Sequence, residues 1–413
     1  MKRKVLRLLA SVGAAACLLG LLLLAKPAPK TEINLFSCGL LPVKEKKLWG
    51  YVNTAGEMVI PPQFQKALRF GTAGRAVVWT TGTHGTDSQC AMINTSGEYV
   101  IAPGKYQDLR GIGLADRVAA MSGDSWGILD MDMNWIAEPQ FKTLGSLSEN
   151  GLMVAQSKQG QYGYVDRNGE WVIPPQYDYA LFFGESDRAV VQVDGLYGAI
   201  NKKGKLVIDP VFEYMTPFDN RGMAEVRNES GVGYVNRNGK WVIPPEFREI
   251  GSFDDLDACW ASKDMKNYGI IDRRGRWVVA PTYKNLRKFI GGYTLVTTYL
   301  DEYGNLHEGS LLNEKGQVVL GPILGLGATL DGELAWFKEN GKIGYMNLKG
   351  EVVIPAQYEG HLAISESPTV GTVFFCDGYA VVRQDGNYGV IDREGNWVLE
   401  PKYRYNDILR PNY

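Results

Sequence analysis

Three histidines, His84, His307 and His361, are the side chains best suited to proton transfer or metal ligation near neutral pH. None has a second histidine, a cysteine or an acid at ligand spacing, so no metal site is expected. Asp130-Met-Asp-Met-Asn134 imitates the opening of a calcium loop. Trp135 stands where such a loop needs Gly, and Phe141 where it needs the bidentate Glu. The acid pair Glu185/Asp187 and the cluster Asp254/Asp255/Asp257 have the chemistry to flank a glycosidic bond. They fall among many solvated acids, which weakens that reading. No nucleophile elbow and no phosphate-binding glycine loop before a helix is present. No cofactor and no catalytic residue is expected.

Trp135, Trp171, Trp241, Trp277 and Trp397 are the more suggestive set, because they recur at one position of a repeat. Indoles in register can stack on sugar rings. Met58, Leu206 and Val352 fill the same position in other copies. Core packing tolerates that exchange and a stacking platform does not, so the column is assigned to the core.

The repeat that positions these residues is clearest in Tyr162-Gly-Tyr-Val-Asp-Arg-Asn-Gly-Glu-Trp-Val-Ile-Pro-Pro-Gln-Tyr177, which returns at 232–247. Looser copies start at Trp49-Gly50, Trp126-Gly127, Tyr197-Gly198, Tyr268-Gly269, Ile343-Gly344 and Tyr388-Gly389. Degenerate copies surround 91–94 and 310–313. About ten units of roughly 36 residues fill the chain. Tyr162–Asp166 reads as a strand, Asp166–Gly169 as a type I turn and Trp171–Ile173 as the returning strand, with Pro174-Pro175 ending it. Arg188–Val193, joined through Asp194-Gly195 to Tyr197, supplies another strand. Each unit is therefore a three-stranded antiparallel meander, followed by a connector marked by Phe183, Phe218, Phe253 or Phe289. Strict alternation places Trp171 and Ile173 on one face and Val172 on the other. Both faces are apolar, so the sheets must stack, as a propeller or an open superhelical array.

These residues resemble the bacterial WG-repeat family: aromatic-Gly, a hydrophobic pair, Asn/Asp-x-x-Gly, then Val-Ile-Pro-Pro and an aromatic. The resemblance covers about residues 40–405. Most copies carry Tyr before the Gly, and the second and eighth lack the pair. The resemblance implies β-rich repeats, often exported or joined to other domains, with no shared enzymatic activity.

Residues 1–30 form a separate segment. A basic cluster, 1–7, precedes an apolar run from Leu8 to Ala25, long enough to span a bilayer as a helix. The charges place the N-terminus in the cytoplasm and the repeat domain, 31–413, outside. Cleavage after Ala25, giving a secreted form, is one alternative, and Cys17 resembles a lipoprotein site. Without residues 1–30 the chain holds 38 Lys and Arg against 46 Asp and Glu, a net charge of about −8. That balance offers no footprint for nucleic acid. Cys38, Cys90, Cys259 and Cys376 lie far apart; they read as buried thiols, with a Cys38–Cys376 staple joining the ends as the alternative.

The reading is an all-β, non-enzymatic scaffold at the cytoplasmic membrane that binds a protein partner. A cell-wall glycan-binding module and a repeat-built glycan hydrolase are the alternatives. Two hairpins are lengthened, at 80–89 and 299–308, in the two copies that lost the aromatic-Gly pair. Stacking in register puts both on one rim, with Tyr299, Tyr303 and His307 as expected partner contacts. An extracytoplasmic phosphatase fused after Tyr413 is expected to be active. A silent fusion beside an active cytoplasmic reporter would reverse the topology.

Overall fold

The computed structural model describes residues 35–408, apart from 72, 83–88, 112–115, 185–186, 255, 287, 298–307, 329–331 and 360–374. The expected membrane helix therefore lies outside the described residues. Among those described, no helix is long and apolar enough to cross a membrane.

Antiparallel strands form ten meanders at 40–64, 75–101, 117–141, 153–177, 188–212, 223–247, 258–283, 293–324, 334–359 and 380–403. They lie in nine hydrogen-bonded sheets, because the ninth and tenth share one of seven strands. A short extra strand such as Tyr179–Ala180 or Tyr214–Met215 opens each of the second to ninth meanders, so the second to eighth sheets have four strands rather than three. One residue separates this strand from the returning strand of the preceding unit in six cases, as Asp178 does between Tyr177 and Tyr179; six residues do so before the third meander and two before the ninth. At the tenth meander a single pairing, Glu359 with Arg383, stands in its place.

The returning strand differs from the sequence reading in two ways. It runs through Pro174-Pro175 to Tyr177, which an edge position permits because no further strand needs the missing N–H. It also slips register twice. Val165 faces Trp171, Tyr164 faces Ile173 and Tyr162 faces Tyr177. The extra residue at Val172 puts Trp171 and Ile173 on opposite faces and leaves Val172 49 % exposed. Strict alternation fails at that bulge.

Gly163 lies beneath the second bulge. A Cβ on it would sit 2.5 Å from the Ile173 carbonyl oxygen and 2.8 Å from backbone atoms of both prolines. Gly127 shows the same approach, at 2.6 Å from the Ala137 oxygen, and there the Trp135 indole is equally close. The glycine after the aromatic is thus required by backbone contact.

Faces then pack in sequence. Val165 and Trp171 join the third meander's Ile128 and Phe141, while Tyr164, Ile173 and Tyr177 join the fifth meander's Ala189, Val191 and Ile200. The turn glycine completes the joint. Gly169, at φ +81°, rests on the third meander's Ala137 and Ile128, and Gly204 on Ile173. Asp166 Oδ1 accepts from the Asn168 and Glu170 amides, which fixes the turn.

The last joint closes the ring. Val381, Tyr388, Val390 and Leu399 of the tenth meander pack with Leu41, Val43 and Val52 of the first, beside Leu35, Phe36 and Ile408. Gly56 rests on Val398 and Leu399 as other turn glycines rest on their predecessors. Lys402 Nζ and Tyr403 Oη reach Glu45 at 2.7 and 3.1 Å. The described body is a β-propeller arrangement closed by side-chain packing, and the open superhelical alternative falls away.

Gly163→Ala is expected to destabilise the protein by about 1–3 kcal/mol, the cost of forcing atoms into a filled site. Gly195→Ala has open space and only a φ of +80° to strain it, so it should cost about 1 kcal/mol. Chemical denaturation of both variants checks the order; equal losses would remove the bulge contact as the reason for the motif glycine.

Candidate functional site

Stacking consumes both sheet faces, which leaves the outer edge strands and the two rims exposed, and the polar and aromatic side chains gather on the rims. One rim carries the turns such as 166–169 and the connectors; the other carries the hairpins such as 193–196 and the one-residue crossings.

The turn rim is tied together by arginines. Arg167 pairs with Asp116 of the preceding meander at 2.7 Å, and Arg117 donates to the Arg167 carbonyl and Asn168 at 2.7 and 2.6 Å. Arg273 contacts Asp219 at 2.5 Å, donates to the Leu256 and Asp254 carbonyls at 2.8 Å, and lies over the Phe253 ring. The acids considered for glycoside chemistry are engaged here. Asp254 meets Lys288 at 3.1 Å, Asp257 pairs with Arg221, and Asp187 lies 4.0 Å from Lys202. Glu185 and Asp255 are outside the described residues. Asp130 closes its turn by accepting from the Asn134 amide at 2.8 Å, which holds its carboxyl below the usual range. The calcium-loop resemblance is an ordinary turn of this repeat, and no cluster of metal-ligating groups exists among the described residues.

The tryptophan column sits in the joints. Trp135, Trp171, Trp241, Trp277 and Trp397 meet Tyr106, Phe141, Phe212, Phe247 and Tyr358 of the preceding meander edge to face, at 5.6 to 5.8 Å. All five are partly buried. The core assignment holds. Tyrosine at the third position of the repeat has its own reason: Tyr51, Tyr164 and Tyr234 donate from within the core to connector carbonyls of Leu68, Leu181 and Gly251.

The hairpin rim keeps free aromatic surface. Tyr162 meets Tyr179 edge to face at 5.4 Å, and Tyr197 meets Tyr214 at 6.5 Å. Tyr179 and Tyr214 stay 40 % and 46 % exposed. Asp178 beside them accepts from the Asp194 amide at 2.7 Å, and Asp194, Glu213 and Glu229 add carboxylates on the same rim. Sequence reasoning missed this arc. The signal was present in Tyr162-Gly, Asp-Tyr179, Tyr197-Gly and Glu-Tyr214, in which a tyrosine recurs at each crossing.

Both lengthened hairpins spring from this rim. One leaves strands 75–81 and 89–94, paired as far as Thr81 and Gln89; the other leaves 293–297 and 308–313, paired as far as Thr297 and Gly309. Tyr299, Tyr303 and His307 lie outside the described residues, as do His84 and His361. Along the ring the tyrosine arc, on meanders four to six, lies midway between the second and the eighth.

Cys38, Cys90, Cys259 and Cys376 are free, so the Cys38–Cys376 staple is absent from this structure. Cys38 is exposed and its thiol contacts the Gly71 carbonyl oxygen at 3.2 Å, toward the second meander. Burial pushes the Cys90 thiol up to about 12 and raises that of Cys259.

A ring of stacked antiparallel meanders defines a repeat-built propeller. The WG containing repeat profile matches residues 49–78, 126–158, 162–197, 197–230, 233–265, 268–298, 343–366 and 388–405, and the chain belongs to that family. The unmatched second and eighth copies are those carrying the long hairpins. No curated protein matches the chain. Among solved structures, a eukaryotic initiation factor is similar at 10 % identity over 76 % of this chain and 94 % of its own, with a TM-score of 0.46. BamB from Moraxella catarrhalis is similar at 14 % over 70 % and 94 %, TM-score 0.31. PorZ from Porphyromonas gingivalis is similar at 10 % over 88 % and 59 %, TM-score 0.25. None of these likenesses bears on what the chain binds.

Thiol titration of the native 31–413 fragment is expected to show one fast-reacting group, Cys38, and three that react after unfolding. A bridge between Cys38 and Cys376 in the exported protein would leave no fast thiol at all.

Proposed function

We propose that this chain is a non-enzymatic scaffold at the outer face of the cytoplasmic membrane whose hairpin rim takes a protein partner. The observation that carries the reading is the pair of exposed tyrosines Tyr179 and Tyr214, each held edge to face by a partly buried neighbour, Tyr162 and Tyr197, on the hairpin rim between two lengthened hairpins. Tyrosine gives large contact area at low entropy cost and a hydroxyl for the wet edge of an interface. The neighbouring carboxylates favour a partner presenting Lys or Arg. Tyr299, Tyr303 and His307 would act as flanking contacts from the eighth meander's hairpin.

A glycan-binding role is the second reading, favoured by the open ring faces of Tyr179 and Tyr214 beside hydrogen-bonding acids. The hydrolase alternative has no specific observation in its favour: Asp187, Asp254 and Asp257 each stand beside a cation.

Incubating fragment 31–413 with envelope proteins and with wall fractions separates the readings. Tyr179→Ala with Tyr214→Ala is expected to weaken retention of a protein partner at least roughly tenfold, at about 1–2 kcal/mol for each anchor. Melting temperature should change little. Trimming each long hairpin to an Asp-Gly turn is expected to weaken retention further. Unchanged retention in both variants would move the interface off this rim; retention by wall polymer alone would favour the glycan reading.

A further inference from the structure

The net charge of the chain hides a local excess on the turn rim. Turns of the fifth, sixth and seventh meanders have one geometry. Asn201, Asn236 and Asp272 each accept two turn amides, presenting Lys203 and Lys205, Asn238 and Lys240, and Arg274 and Arg276 at equivalent places. The charged members of this set are exposed. In the first, second and fourth meanders the corresponding place after the glycine holds Glu57, Glu98 and Glu170.

Among the described residues, five acids near the basic arc are held in ion pairs. Asp187 faces Lys202, Asp219 faces Arg273 and Asp272 faces Arg276. Asp254 faces Lys288, and Asp257 faces Arg221. Lys203, Lys205, Lys240 and Arg274 have no side-chain partner among the described residues. Turn glycines seat each turn on the preceding sheet, so these cations stand in rows spaced by about the 10 Å of packed sheets.

The chain enters the body on this same rim. Leu35 and Phe36 pack into the closing joint, Ser37 donates to the Phe70 carbonyl, and Cys38 contacts Gly71. The 34 preceding residues include the apolar run 8–25. The point where the chain enters the body thus shares a rim with the basic arc.

We infer that the arc Lys203, Lys205, Lys240 and Arg274 docks on an anionic phospholipid surface, giving the propeller a second, electrostatic hold beside its N-terminal segment. Lys and Arg within a Debye length of such a surface each add to binding, and salt weakens the sum. The acidic turns elsewhere on the rim are repelled, so the ring tilts with its fifth to seventh meanders nearest the lipid. This surface is separate from the tyrosine arc and stands or falls independently of any protein partner.

The ring is closed within residues 35–408, so fragment 31–413 can be tested without the apolar run. Co-sedimentation is measured with phosphatidylcholine vesicles, with and without about one third phosphatidylglycerol, at low and at raised salt. Binding is expected only to the anionic vesicles, weakened by salt. The variant Lys203→Gln, Lys205→Gln, Lys240→Gln, Arg274→Gln should lose at least tenfold in affinity, from roughly fivefold per charge. A control with the same charge change on the other rim, Lys46→Gln, Lys47→Gln, Lys158→Gln, Lys266→Gln, should keep near-full binding. Equal binding to neutral vesicles, or an equal loss in the control, overturns the proposal. So does tighter retention by soluble polyphosphate than by anionic vesicles, which would assign the arc to a polymer. The substituted side chains are exposed, and an unchanged melting temperature separates lost docking from lost folding.

Discussion

The whole architecture depends on a contact that a side chain would destroy: the backbone of the returning strand lying on Gly163 and its equivalents. With no Cβ there, the strand can bulge over its partner twice within seven residues. The first bulge sends Trp171 and Ile173 to opposite faces, and the second carries the chain through two prolines to Tyr177. A meander without those bulges would concentrate its large residues on one face and could bury itself as a two-layer sandwich. With them, each sheet is apolar on both sides and finds shelter only between two copies of itself.

That requirement explains how a chain with little hydrogen bonding between its units holds together. Joints are made by the turn glycine on its predecessor, by the tryptophan edge-on to the preceding aromatic, and by arginines crossing the turn rim. Each is a nearest-neighbour term, as in linear repeat arrays. Closure removes the exposed ends that such arrays must cap. The first and last meanders meet through the same Gly56-on-Leu399 contact used elsewhere, with Ile408 of a short terminal helix, Tyr405–Ile408, buried beside it. Among the described residues no strand crosses that joint.

Much of this was legible in the sequence because repetition exposes function by position. The Asp-x-x-Gly turns, the Asp194-Gly195 hairpin and the unit length follow from turn chemistry alone, and the structure keeps them. Face assignment around Val172 was not legible, because a bulge leaves the same apolar string as regular alternation and only partner register tells them apart. Closure was hidden for a related reason: the terminal units carry no special residues, so ring and open stack share one sequence pattern. The tyrosine arc was overlooked since the crossing position has no consensus: Lys66, Thr143, Glu249 and Asn285 stand where Tyr179 and Tyr214 stand. Only the packing around each crossing shows those two rings left exposed beside Tyr162 and Tyr197.

The same logic locates where this family member can be individual. Residues inside the joints are held by contacts on two sides, so a change there must be matched in the neighbour. Rim residues answer to one unit only. The basic turns at Lys205, Lys240 and Arg276 stand where Glu57, Glu98 and Glu170 stand elsewhere, with the turn geometry unaltered. Charge on that rim is therefore free to vary around the ring at almost no cost to folding. Hairpin length is free in the same way, as the second and eighth meanders show. Two independently variable rims on one ring allow the chemistry of each to be set separately, which a single-core domain of this size could do only by reshaping its core.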